Sequence, residues 1–143
     1  MFKVENTVVV NKPVEEVFAF VNNPDNTTKW QGGVEAVKHD GGTSQVGAQY
    51  TEVRKFMGRE MNTIMEVTTL EVNKKYAAKV VKGPVSFDVD VTFTPGGGNT
   101  KMTTIVQGEP GGFFKFAEKM VAKQLKESLE EDGKRLKSLL EGS

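Results

Sequence analysis

Cysteine is absent from the chain, which excludes disulfides, thiol nucleophiles and cysteine-held metals. Histidine occurs once, as His39, so no two-histidine metal site can be built. A charge of one sign is missing too: 19 Lys and Arg cancel 19 Asp and Glu. That balance argues against a nucleic-acid binder held by bulk charge and against a polybasic membrane anchor. No run approaches the roughly 18 apolar residues of a membrane span. Met1–Asn6 carries an acid, Glu5, and lacks the apolar core of a signal peptide. The expectation is a cytoplasmic protein with no integral membrane segment, no nucleic-acid partner, no metal and no cofactor. Its oligomeric state is left open.

What is present is a core former. Hydrophobic residues make up 37% of 143 positions, enough for one domain over residues 1–143 with a sizeable core. Composition shifts once, near Pro110: 19 of 20 valines precede it, and five of six leucines follow residue 124. Valine favours strands and leucine favours helices, so the first three quarters read as sheet and the last quarter as helix.

The periodicity adds detail. Phe2, Val4, Val8 and Val10 alternate along a first strand. Pro13, at the first turn of a helix, is followed by Glu15 and Glu16, favoured by the helix dipole. Val14, Val17, Phe18 and Val21 form its apolar stripe. Asn23-Pro24-Asp25 starts a second short helix that carries Thr28 and Trp30. Strands then follow at 34–38, 49–57, 60–72, 76–81, 86–94 and 101–107, with reversals at Gly58-Arg59, Asn73-Lys74 and Pro95–Asn99. From Gly112 to Leu140, apolar residues recur every three or four positions, predicting one long helix. Gly133 interrupts it, and bends or weakens it.

The class is α+β: a curved seven-stranded antiparallel sheet wrapped around a long C-terminal helix, with two short helices between strands 1 and 2. A helix about 10–12 Å wide cannot cover seven strands that span roughly 30 Å when flat. The sheet must curl, and a curled sheet under one helix leaves room for an apolar cavity. Filling of that space by large side chains, the nine phenylalanines among them, is the competing outcome.

Three segments carry a family resemblance. NKPVEEVFAFVNNPDNTTKW resembles the opening of the SRPBCC superfamily, the START-like and birch-pollen-allergen-like helix-grip group. VGAQYTEVRKFMGREMNTIMEVT and VKGPVSFDVDVTFTPGGGNTKM are similar to hairpins of its polyketide cyclase/dehydrase-like branch. The likeness spans essentially the whole chain, and its motifs are structural. It implies a helix-grip fold and a small hydrophobic ligand (a lipid, polyketide or isoprenoid/quinone-like molecule) held between sheet and helix. Some members catalyse cyclisation, and a related branch activates a chaperone through its surface.

The residues predicted to meet a ligand are Trp30 and Tyr50; Met61, Met65 and Tyr76; Phe87, Val89 and Val91; and Phe116, Met120 and Gln124 on the long helix. Each has a plainer role as well. Trp30 also suits an anchor for the small helices, the strand residues suit ordinary core, and Gln124 suits a wetted flank. In the third strand Tyr50 and Phe56 share parity with Glu52 and Arg54. Either the pair is exposed or mutually paired, or it points inward as buried ionisable groups. His39 beside Asp40-Gly41-Gly42 reads as a solvent turn. No catalytic residue is assigned: enzyme action stays open, without a convincing constellation to carry it.

Overall fold

The computed structural model describes residues 1–40, 45–109, 111 and 117–142. Strand β1 (Phe2–Val10) leads to α1 (Val14–Asn22), a 3-10 turn (Pro24–Asn26) and α2 (Thr27–Trp30). Strands β2 (Val34–His39), β3 (Gln49–Phe56), β4 (Arg59–Glu71), β5 (Lys75–Lys82), β6 (Ser86–Gly96) and β7 (Asn99–Glu109) follow, and α3 (Glu118–Glu141) closes the order. All neighbours pair antiparallel in one open sheet, β1-β7-β6-β5-β4-β3-β2.

Local differences from the sequence reading have local causes. Pro13 caps α1 from an extended conformation, with ψ 151°, rather than entering its first turn. The β3–β4 reversal falls on Met57-Gly58, both at positive φ, and Arg59 already belongs to β4. Strand β6 runs through Pro95, which faces Thr100 in register, and the chain reverses at Gly97-Gly98. A proline near a strand end loses little, since few ladder bonds remain to be made. His39 ends β2 and is only 19% exposed, with Nε2 at 2.9 Å from Asp25 Oδ1. It therefore ties the sheet edge to the small helices rather than standing in a solvent turn. Of the long helix predicted over 112–140, α3 accounts for the part from Glu118 onward; residues 112–116 lie outside the described residues.

The sheet curls by three register shifts. Two lie in the β4–β5 pairing, where Val81 of β5 and Thr68 of β4 are the extra residues; one lies in β2, between Val34 and Ala36. Each adds a residue to one strand and sharpens its twist. Gly133 has a packing reason: a Cβ there would stand 3.3 Å from Asn6 Nδ2 and 3.4 Å from Val8 Cβ. Its missing side chain lets α3 lie close on β1, where Asn6 Nδ2 donates to Leu129 O at 3.2 Å. The helix cost of glycine, about 1 kcal/mol, is exchanged for this approach. Among the described residues no helix is long and apolar enough to cross a membrane.

The core is split in two. One cluster joins α1, α2 and the C-terminal end of α3 to the sheet, with Val17, Trp30, Phe93 and Leu136 among its members. Phe18 meets Phe93 edge-on within it, ring centres 5.1 Å apart. The other gathers Phe2, Met61, Val85, Val106 and Val121 at the opposite end of the sheet.

Candidate functional site

A partly enclosed cavity of about 170 Å³ shares its walls with both clusters, between sheet and α3. A single water needs only about 10–15 Å³ by this measure, so the space takes more than trapped solvent. The large side chains line it rather than fill it. Its sheet wall follows from strand alternation, which sends every second residue to the concave face. Phe87, Val89 and Val91 line it from β6, and Met102, Thr104 and Val106 from β7. Met61 and Met65 line it from β4.

Strand β3 contributes Tyr50, Glu52, Arg54 and Phe56, all on that same face. Its pairing with β4 runs unbroken from Gln49↔Glu66 to Phe56↔Arg59. No bulge separates the polar from the apolar members, so Glu52 and Arg54 point inward and are not exposed. They pair there: Arg54 Nε donates to Glu52 Oε1 at 2.7 Å, and Arg54 Nη2 donates to Gln31 Oε1 at 2.7 Å. Burial opposes the Arg54 charge, but Glu52, helped by Asp132 and Tyr50, outweighs it, and the guanidinium pKa is raised.

The roof is a stripe of α3: Val121, Leu125, Ser128, Leu129 and Asp132 recur every three or four residues. Asp132 is 6% exposed. Its Oδ1 accepts from Gly32 N at 3.0 Å and from Arg135 Nη1 at 3.2 Å. Arg135 Nη1 also donates to Trp30 O at 2.9 Å, which fastens the end of α2 to the helix. Burial raises the Asp132 pKa, and Gly32, Arg54 and Arg135 offset part of the rise.

Across the sheet, the Tyr50 and Tyr76 hydroxyls lie 2.7 Å apart. Burial raises both phenol pKa values, Tyr50 well above its usual range and Tyr76 to about 12. Both therefore stay neutral at physiological pH. Trp30 completes the wall at 8% exposure, and its Nε1 is buried with no hydrogen-bond partner among the described residues.

Of the residues predicted to meet a ligand, the cavity brings together Trp30, Tyr50, Met61, Met65, Tyr76, Phe87, Val89 and Val91. Phe116 lies outside the described residues. Met120 and Gln124 require correction: they are absent from the cavity's described lining, and Met120 is 49% exposed. The roof stripe passes through Val121 and Leu125, one residue further on. One residue is a rotation of about 100° on a helix. Asp132, Ser128 and Gln31 were missed. The spacing from Val121 and Leu125 marks Ser128 and Asp132, but their polarity hid them.

Among the described residues, no three His, Asp or Glu side chains stand close enough together to hold a metal ion. Within an otherwise mostly apolar wall, the polar groups are three charged side chains, the hydroxyls of Tyr50, Tyr76, Thr27, Thr104 and Ser128, the amides of Asn6, Asn22 and Gln31, and the Trp30 indole N–H.

The family described as "Polyketide cyclase / dehydrase and lipid transport" matches residues 1–141. No curated protein sequence matches the chain. Among solved structures, the protein TTHA0849 from Thermus thermophilus superposes with a TM-score of 0.84 at 18% identity, over 99% of each chain. A START superfamily protein from Mycobacterium smegmatis does so at 0.79 and 19%, over 98% of this chain and 97% of that one. Ara h 8.0201 does so at 0.75 and 12%, over 99% of each. At these identities the likeness is one of fold, the helix-grip fold.

Proposed function

From its membership of the polyketide cyclase/dehydrase and lipid-transport family, to which the chain belongs, we propose that it binds a small hydrophobic molecule between sheet and α3. The observation that carries this reading is the cavity of about 170 Å³ walled by both halves of the core. A chain selected for stability alone gains by closing such a space, since lost contacts cost roughly 24 cal/mol per Å³ of cavity. Methionines at 61, 65 and 102 suit an irregular apolar guest. The balanced charge fits a carrier that diffuses in the cytoplasm, without nucleic acid as a partner.

The sole tryptophan stands in the wall, so the protein reports its own occupancy. Quenching or shift of Trp30 emission by apolar probes, with a rise in melting temperature, is the expected result. Val89→Trp, which places an indole in the cavity, should abolish the probe-induced rise in melting temperature while the protein stays folded. Absence of any probe effect, together with no co-purifying small molecule in native mass spectrometry, overturns the reading.

A second reading, an enzyme of the cyclase/dehydrase type, is favoured by one observation. Glu52, Arg54 and Asp132 all line the cavity, and ionisable groups in a cleft are where proton transfer is built. Turnover of a poly-β-ketone analogue that is lost in Glu52→Gln or Asp132→Asn would support it.

A further inference from the structure

We propose that the outer edge of β1 is a self-pairing site for a second copy of this chain, and that side chains of α3 hold it closed. The site lies outside the cavity and is independent of what the cavity binds.

Strand β1 is one of the two edges of the open sheet. In an antiparallel ladder alternate residues give their backbone groups to the neighbouring strand, and the rest turn theirs away. β1 pairs with β7 over its whole length without a register shift. So regular an edge is a template for strand addition, and Val8-Val9-Val10 adds strand preference. The opposite edge, β2, carries protection of its own: a bulge between Val34 and Ala36 and an exposed lysine, Lys38.

Protection of β1 comes from α3. Lys126 Nζ donates to Glu5 O, and Lys137 Nζ donates to Val9 O at 2.9 Å. Glu141 Oε2 accepts from Asn11 N at 2.9 Å and from Lys137 Nζ at 2.6 Å. Glu5, Val9 and Asn11 share one parity with Thr7, so these residues form the row that faces away from β7. Lys126, Gly133 and Lys137 stand on one line of the helix. From Lys126 to Lys137 the helix rises about 16 Å, against about 13 Å of strand from Glu5 to Val9. Gly133 brings this line close to β1, and the two long lysines reach round to its edge. The cavity roof uses other residues of α3.

A second copy fits the row once it is uncovered. Two-fold pairing of β1 with itself is antiparallel and self-complementary. Centred on Asn6, it sets Lys3 opposite Val9 and Glu5 opposite Thr7, so no like charges face each other. Two seven-stranded sheets then run on as one.

The test is sedimentation velocity of the full chain and its variants over a concentration series. Lys126→Ala/Lys137→Ala uncovers both carbonyls with no loss of helix preference. It should associate at concentrations at least about ten-fold lower than the parent, the scale of one or two hydrogen bonds. Lys126→Arg/Lys137→Arg keeps the donors and should sediment as the parent. Lys123→Ala/Lys134→Ala removes the same charge from exposed positions of α3 and should do so too. Thr7→Pro, added to the double-alanine variant, should abolish its association. Proline there deletes an outward N–H and spares the β7 ladder, at the loss of an exposed hydroxyl contact with Thr103 at 3.1 Å. A folded double-alanine variant that sediments as the parent overturns the proposal. So does association that survives Thr7→Pro, or that the Lys123/Lys134 variant matches. Should the double-alanine variant unfold, NMR of the parent's lysine ammonium groups decides. Lys126 and Lys137 should exchange with water more slowly than Lys123 and Lys134 and show scalar couplings to the Glu5 and Val9 carbonyls. Equally fast exchange of all four overturns the proposal.

Discussion

The hydroxyls of Tyr50 and Tyr76 lie 2.7 Å apart although β3 and β5 are not neighbours; β4 runs between them. Strands separated by one other stand about 10 Å apart in a flat sheet. The register partners of the two tyrosines on β4, Met65 and Leu70, are separated along the strand as well. Meeting above β4 therefore depends on the coil that the two register shifts between β4 and β5 impart. The contact is a local gauge of the curvature that makes the cavity.

These are the only tyrosines in the chain, so their ionisation can be read directly by tyrosinate absorbance. Folded pKa values raised above the unfolded value of about 10 mean that the folded state holds protons the unfolded state releases. Their contribution to stability is complete below pH of about 10 and falls as pH rises through the folded values. Native protein should show almost no tyrosinate at pH about 10.5, while protein in denaturant titrates normally. Tyr50→Phe should lessen the alkaline loss of stability. Normal titration of both residues in the native state would contradict the burial described.

Glu52 and Arg54 should behave as a unit. Arg54→Met or Glu52→Leu alone leaves a buried charge and should cost about 3 kcal/mol in urea unfolding, while the double variant should lose less than either. Additive losses would mean that the pair is solvated.

Asp132 carries a sign opposite to the usual carboxylate. Its folded pKa is raised, mainly by burial, so its contribution favours folding at low pH and is lost as pH rises through that value. Asp132→Asn retains an acceptor for Gly32 N–H and removes the buried charge. The variant should gain stability relative to the parent as pH rises from acid to neutral, followed by melting temperature across pH. A gain that grows toward acid would reverse the assignment.

At Gly133, alanine should be nearly neutral, because a helix gain of about 1 kcal/mol is set against the squeeze on Asn6 and Val8. Leucine should destabilise by about 1–3 kcal/mol through overpacking, measured by urea unfolding. Gly133 also borders the cavity, so that leucine should weaken apolar probes.

Much of the architecture was legible because strand and helix periods are properties of neighbouring residues. Val89 and Val91 alternate with Asp88 and Asp90, and β6 follows from that pattern alone. The roof was misjudged by one residue. Met120 and Val121 are both apolar, and only the angle at which α3 lies on β1 chooses between them. That angle depends on Gly133 against Asn6 and Val8, over a hundred residues apart in the chain.

Order of elements, class of fold and the apolar stock of the wall were fixed by composition and period, which act over a few residues. The inward turn of Glu52 and Arg54, the hydrogen bond from Arg54 to Gln31, and the arrival of Asp132 at the same space were decided by tertiary structure. A charge enters a protein interior only where partners compensate its lost water, and those partners come from distant parts of the chain.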